Sequence, residues 1–171
     1  PQILSRGNAQ YIYDDKNRKF LDYGMGLRSI ILGYNNKDVN QAAIKQIKNG
    51  NNLPRPSEIE LQFAKNLINT IPHIDMVKFA KNSSNAVTAA IKLSRSYNGK
   101  KIILRCKDHP FFSFDDWFIG NTDINRGIPN DISKLTKNFR YGDLENIKKL
   151  IKKYKNQISC LVMEAATTSC P

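Results

Sequence analysis

Four polar residues, Lys81-Asn82-Ser83-Ser84, join an apolar run at 76–80 to a helical pattern that begins at Ser84. Helix first-turn amides have no intrahelical partner and sit at the positive end of the helix dipole, so an anion is favoured there. The hydroxyls of Ser83 and Ser84 add donors. The same residues also suit plain N-capping by Asn82 or Ser84. Chemistry and simple helix initiation are both open at this turn.

Three further groups of residues have reactive potential. His109-Pro110-Phe111-Phe112-Ser113-Phe114-Asp115-Asp116-Trp117 combines a histidine, two carboxylates and four aromatics. His109 beside Asp108 suggests acid–base work, but no third partner is visible, and His109 and His73 are read as structural. Phe114 and Trp117 are read as a satellite core beneath the loop. Arg28, in the glycine-punctuated stretch Gly24 to Ser29, suits bidentate pairing with a substrate carboxylate, or with a local acidic side chain at the surface. Glu164 closes the apolar run Ile158 to Met163, and a carboxylate at that place serves either a ligand or a cap or salt bridge.

The elements that must position these groups follow from periodicity. Tyr11-Ile12-Tyr13 and Phe20-Leu21-Asp22-Tyr23, separated by a polar stretch, predict a β-hairpin. Val39, Ala42, Ala43, Ile44 and Ile47 recur at helical spacing up to Gly50. Ser57 followed by Glu60 is a capping box for a helix that ends near Pro72. Strands are then predicted over 76–80, 101–105, 135–141 and 158–164, with helices over 84–97 and 143–154. Strands alternating with helices of this length indicate an α/β architecture with a largely parallel sheet. In such sheets ligands bind beyond the carboxyl ends of the strands, where the Asn82 turn and the 108–117 loop both fall. The rigid Pro54-Arg55-Pro56 marks a boundary between a hairpin-plus-helix segment (1–55) and the α/β portion (56–171).

Bulk properties narrow the class. The 171 residues carry a net charge of +12, which invites a nucleic-acid partner. The lysines are scattered over helix faces without a recognition motif, so a solvated surface is the expectation. Cys106, Cys160 and Cys170 lack metal-ligand spacing, and buried free thiols favour a reducing, cytoplasmic setting. No run is long enough to span a membrane and no signal peptide is visible. Neither Gly-x-Gly-x-x-Gly nor Gly-x-x-x-x-Gly-Lys-Ser/Thr occurs, which argues against a nucleotide binder. Pro1 opens the chain without methionine, and Pro171 follows directly on a strand-like run. The chain therefore reads as a fragment of a longer protein.

The stretch from Met76 to Gly99 resembles the cofactor-phosphate segment of class III aminotransferases, and within them the glutamate-1-semialdehyde aminomutase-like branch. The similarity extends to Gly7-Asn8-Ala9-Gln10-Tyr11-Ile12-Tyr13-Asp14-Asp15, Phe20-Leu21-Asp22-Tyr23, Leu32-Gly33-Tyr34, the Ser57-Glu58 helix and the loop from Asp108 to Gly120. The resemblance implies the PLP-dependent transferase fold type I, with an incomplete large domain. It implies pyridoxal 5'-phosphate as cofactor, its phosphate held by Asn82, Ser83 and Ser84. Phe111 falls on the tyrosine that stacks on the pyridine ring and Phe112 on the histidine after it. Glu164 matches a glutamate near the cofactor, and Gly24 to Ser29 the mouth of the substrate site, where Arg28 would bind substrate. Ser83 stands in a glycine position, Asn85 in an acidic one, and Ala165 where proline is usual; a serine is disfavoured if its position needs positive φ.

The implied reaction moves an amino group through Schiff-base intermediates, between a small-molecule amino donor and a keto or aldehyde acceptor or within one molecule, in a homodimer. The Schiff-base lysine and the acid facing the pyridinium lie beyond Pro171 in the family pattern. No catalytic residue is expected within this chain, which alone should be inactive. A degenerate, non-catalytic homologue acting as a scaffold is the alternative, supported by Ser83, Asn85, Phe111 and Ala165.

Overall fold

The structure, a computed structural model, describes residues 3–109 and 113–166. It divides into two compact units, Pro1–Met76 and Val77–Pro171.

In the first unit, β1 (Leu4–Asn8), β2 (Tyr11–Asp14) and β3 (Lys19–Leu21) form an antiparallel sheet in that order. The expected hairpin is present, with Tyr11 opposite Leu21 and Tyr13 opposite Lys19. Asp14 is what closes its turn. Its carboxylate is fully buried and accepts the Lys16 and Arg18 amides at 3.0 and 2.8 Å and the Arg18 Nε at 2.6 Å. Burial pushes the Asp14 pKa up, but the bonds from Arg18 and Lys16 outweigh it and hold the carboxyl below its ordinary value. β1 was not legible beforehand: Leu-Ser-Arg-Gly-Asn has no apolar alternation, and the strand forms because β2 offers it a ladder edge.

Next come α1 (Met25–Arg28), α2 (Lys37–Lys48) and α3 (Glu58–Thr70). Asn36 caps α2 by accepting the Asp38 and Val39 amides. Ser57 and Glu60 form the expected capping box on α3. α1 is a helix only nominally, because Met25, Gly26, Leu27 and Arg28 all have positive φ.

The second unit begins with a segment outside any regular element, where a strand was expected over 76–80. Among the described residues no strand pairs with it. Extended backbone counts as a strand only beside a hydrogen-bonding ladder, and apolar content alone does not supply one. Then α4 (Ser83–Asn98), β4 (Ile102–Cys106), α5 (Asp116–Ile119), α6 (Asn130–Ser133), β5 (Thr136–Phe139), α7 (Leu144–Lys153) and β6 (Ile158–Val162) follow. Gly99 ends α4 with φ 68°, a left-handed cap that glycine adopts without a Cβ penalty.

The sheet is parallel with order β5-β4-β6. All five residues of the central β4 are buried, which explains their uninterrupted apolar run Ile102-Ile103-Leu104. Alternation sorts them between two faces. Ile103 packs with Ile91 of α4 and with Trp117 and Phe118 of α5. Ile102, Leu104 and Cys106 pack with Phe139, against Ile147 and Leu150 of α7. One charge shares this core. Arg105 is buried, its guanidinium lying 4.1 Å over the Phe118 ring and its Nη1 donating to the Asn121 carbonyl at 3.0 Å. Burial lowers its pKa, with Cys106 acting in the opposite direction. Cys160 is a free thiol. Among the described residues no helix is long and apolar enough to cross a membrane.

Candidate functional site

At the start of α4, capping and anion binding prove compatible. Asn82 is the N-cap, with extended backbone, and its Oδ1 accepts the Asn85 amide at 3.0 Å. That bond occupies one first-turn donor. The amides of Ser83 and Ser84 point ahead of the helix and have no acceptor among the described residues, and their hydroxyls are equally uncommitted. Ser83 is exposed and Ser84 half-buried. Ser83 lies in the helix and is absent from the residues with positive φ, so serine stands in the glycine position without backbone strain.

The direction of α4 places this turn. Ser94 Oγ and Asn98 Nδ2, near its end, donate to the Ser159 carbonyl at 3.0 and 2.9 Å, at the beginning of β6. Thr88, near its start, meets Ser113 and Asp115 in the loop that leaves β4. The helix therefore runs antiparallel to the strands. From Ser94 back to Ser83 and from Ser159 on to Glu164 are both roughly 16 Å, at about 1.5 and about 3.3 Å per residue. The Asn82 turn and Glu164 thus share the carboxyl edge of the sheet, the usual ligand edge of this architecture.

Glu164 is half-buried, and no described residue bonds its carboxylate. Its backbone, in contrast, is tied down. His109 is buried, and its Nδ1 accepts the Glu164 amide at 3.0 Å. The imidazole leans on Tyr141 with ring centroids 5.5 Å apart. Tyr141 in turn donates its hydroxyl to the Ala165 carbonyl at 2.5 Å and its amide to Asp108 Oδ2 at 2.9 Å. Sequence reasoning had set His109 aside for want of a partner. That partner is a backbone amide 55 positions away, which no side-chain pattern discloses.

The loop after β4 is anchored by a second set of bonds. Thr88 Oγ1 lies 3.0 Å from Ser113 Oγ, accepts the Trp117 indole N–H at 2.9 Å, and donates to Asp115 Oδ2. Trp117 belongs to the core, as expected. Phe114 does not: it is 78% exposed. Ser113 takes the inward position beside Thr88, and the backbone bends at Phe114. Phe111 and Phe112 lie outside the described residues.

In the first unit, Arg28 is exposed, has φ 71°, and pairs with no described carboxylate. The stretch it ends is organised by Asp22, which accepts the Gly24 amide at 2.9 Å, the Gly26 amide at 3.1 Å and the Tyr34 hydroxyl at 2.7 Å. The Tyr34 bond, then the amides of Gly26, Gly24 and Met25, lower the Asp22 pKa against the opposing effect of burial. The same contact raises that of Tyr34. No group of potential metal ligands occurs among the described residues.

Comparison with known proteins gives a consistent answer. Residues 1–169 match the Aminotransferase class-III family. The chain is 30% identical over 172 residues to the glutamate-1-semialdehyde 2,1-aminomutase of Francisella philomiragia, covering 96% of this chain and 40% of that protein. It is 32% identical over 175 residues to the enzyme of the same name from Wigglesworthia glossinidia brevipalpis, with the same two coverages. Among solved structures, the PLP internal aldimine form of the FumI protein from Sphingopyxis sp. MTA144 superposes with a TM-score of 0.84 at 25% identity, over 93% of this chain and 37% of that one. The chain thus spans about two fifths of the length of the curated relatives it matches.

Proposed function

The chain belongs to the class-III aminotransferase family, and from that premise we propose that it forms the phosphate-holding part of a pyridoxal 5'-phosphate enzyme of the aminotransferase or aminomutase type. The observation that carries this reading is the pair of uncommitted amides at Ser83 and Ser84, on the same sheet edge as a carboxylate with a fixed backbone, Glu164. Two amides and two hydroxyls at a helix N-terminus suit a phosphate dianion in charge and in hydrogen-bond type. Serine adopts the required conformation at 83, so the family's glycine is dispensable here.

In this assignment Asn82 sets the first turn of α4, and Ser83 and Ser84 donate to the phosphate. Glu164 offers its carboxylate to a donor or positive group on the cofactor. Arg28 takes a substrate carboxylate, for which its freedom from ion pairs leaves it available, and Phe111 stacks on the ring. Pyridoxal 5'-phosphate, when bound, supplies an electron-withdrawing ring that stabilises negative charge beside the reacting nitrogen. The protein's part here is to hold and orient it. None of the chain's lysines sits in a Schiff-base context, so the chain by itself is taken to be inactive. The whole protein would move an amino group from a small-molecule donor to a keto or aldehyde acceptor, or within one molecule, as a homodimer in the cytoplasm.

The test is spectroscopic. Full-length protein supplied with pyridoxal 5'-phosphate should acquire an absorbance band in the visible region that borohydride bleaches. A folded preparation that takes up no cofactor would overturn the assignment. Ser83→Pro with Ser84→Ala, which removes one amide and both hydroxyls, should weaken uptake by about a thousandfold if each lost donor contributes roughly 1.4 kcal/mol.

A further inference from the structure

Glu164 is held from both sides, by residues that the family comparison does not single out. Its own amide is bound by His109 Nδ1 at 3.0 Å. The carbonyl of the next residue, Ala165, is bound by the Tyr141 hydroxyl at 2.5 Å. The two holding side chains rest on each other, and the second is fixed through its amide to Asp108. The tie therefore joins the ends of all three described strands of this sheet, through Asp108 and His109 after β4, Tyr141 after β5, and Glu164 and Ala165 after β6. A hydrogen bond from an amide to Nδ1 also dictates the ionisation state of the ring. Imidazolium has no lone pair to offer, and the tautomer protonated at Nδ1 would face donor with donor. His109 must be neutral with its proton on Nε2.

We propose that His109 and Tyr141 are positioning residues, which lock the backbone on either side of Glu164 so that its carboxylate is presented at the carboxyl edge as a binding group for the cofactor. This rests on the assignment of Glu164 above. A side chain at a strand terminus would otherwise share the freedom of the fraying end, and that freedom would have to be lost on every binding event. Here it is removed in advance by two bonds to buried or packed rings.

Three readouts on the full-length protein test this. The first is the tautomer, from two-bond nitrogen–proton correlations of histidine-labelled protein; His73 and His109 are the two histidines of this chain. His109 should show an unprotonated Nδ1 at neutral pH, and a ring protonated there would overturn the proposal. The second is exchange of the Glu164 amide, which should accelerate about tenfold in His109→Phe, where ring volume is kept and the acceptor lost. His109→Asn, which keeps an acceptor near the Nδ1 position, should restore part of the protection. The third is cofactor affinity by titration of apoprotein. His109→Phe should weaken it about tenfold in the native background and leave it unchanged when combined with Glu164→Ala, since that variant retains the amide but has no carboxylate to place. Equal losses in both backgrounds would show a merely structural histidine and refute the positioning role. If the native protein binds no cofactor, the functional assignment fails, and tautomer and exchange alone decide whether the tie exists.

Discussion

Replacing Thr88 by valine should destabilise the second unit mainly through one orphaned atom, the indole nitrogen of Trp117. Valine keeps the shape of threonine and removes only Oγ1, which receives the Trp117 N–H at 2.9 Å, lies 3.0 Å from Ser113 Oγ, and donates to Asp115. These losses are unequal. Asp115 is exposed, so water replaces the lost donor, and its carboxylate keeps the Ser113 hydroxyl at 3.1 Å. Ser113 is fully buried but retains that same carboxylate. Trp117 is 4% exposed and has no alternative acceptor among the described residues, so its N–H bears a desolvation penalty of about 1–3 kcal/mol. A total near 2 kcal/mol follows, which lowers a urea midpoint by about 1 M at a slope of about 2 kcal/mol/M. Thr88→Ser, which keeps the oxygen and loses a methyl, should cost less, about 0.8 kcal/mol. Trp117 is the single tryptophan, so its emission reports the transition and its immediate surroundings together. In a Trp117→Phe background the valine substitution should lose more than half its effect. A valine variant no weaker than the serine variant would refute the view that this hydroxyl organises the loop.

Other consequences follow from single contacts. Gly99→Ala should destabilise α4 by about 1 kcal/mol through its left-handed backbone alone, because an added Cβ there meets nothing within 4 Å; thermal denaturation checks it. Ser57→Ala should cost about 1 kcal/mol by dismantling the capping box on α3, seen as faster amide exchange in its first turn. Tyr34→Phe should raise the Asp22 pKa towards the ordinary carboxylate value, followed by carbonyl-carbon NMR. The sign is fixed by linkage: with the folded pKa depressed, the stabilisation from Asp22 is complete above the unfolded value near about 3.9 and is lost as pH falls through the lower folded one. Gly7→Ala should disturb the same carboxylate from a distance, since its Cβ would fall 2.4 Å from the Tyr34 ring and displace the hydroxyl from Asp22.

What could be read in the sequence was what depends on near neighbours. The capping box at Ser57, the amphipathic helices and the buried run at 102–104 are local patterns with local causes, and each element formed where its periodicity placed it. The parallel sheet followed from alternation of such elements. Two misjudged segments depended on partners elsewhere in the chain. Leu4–Asn8 became a strand because β2 faced it, and 76–80, more apolar, is assigned to no strand. Phe114 went outward for a similar reason: Ser113, though small and polar, had Thr88 to bond, and the aromatic lost the inward position.

The candidate site repeats this division on a smaller scale. The Asn82-Ser83-Ser84 turn was visible because an N-terminus needs only a few successive polar residues, yet its two readings could not be separated by composition. They turn out not to compete. A cap by Asn82 satisfies the third amide of α4 and leaves the first and second without an acceptor among the described residues, so starting the helix and offering donors to an anion are compatible. The departures at Ser83 and Asn85 lose their force as signs of decay on the same ground. Ser83 occupies ordinary helical space, and Asn85 contributes the backbone amide that Asn82 accepts, a role indifferent to its side chain. An acidic residue at 85 would add a negative charge to the turn proposed for the phosphate, and its absence favours anion binding electrostatically. Asn85→Asp should therefore weaken cofactor uptake modestly while leaving the cap intact, whereas Asn82→Ala should weaken uptake and fray α4 together. If Asn82→Ala left helix protection unchanged, cap and anion site would have to be uncoupled, and the shared origin argued for them would be wrong.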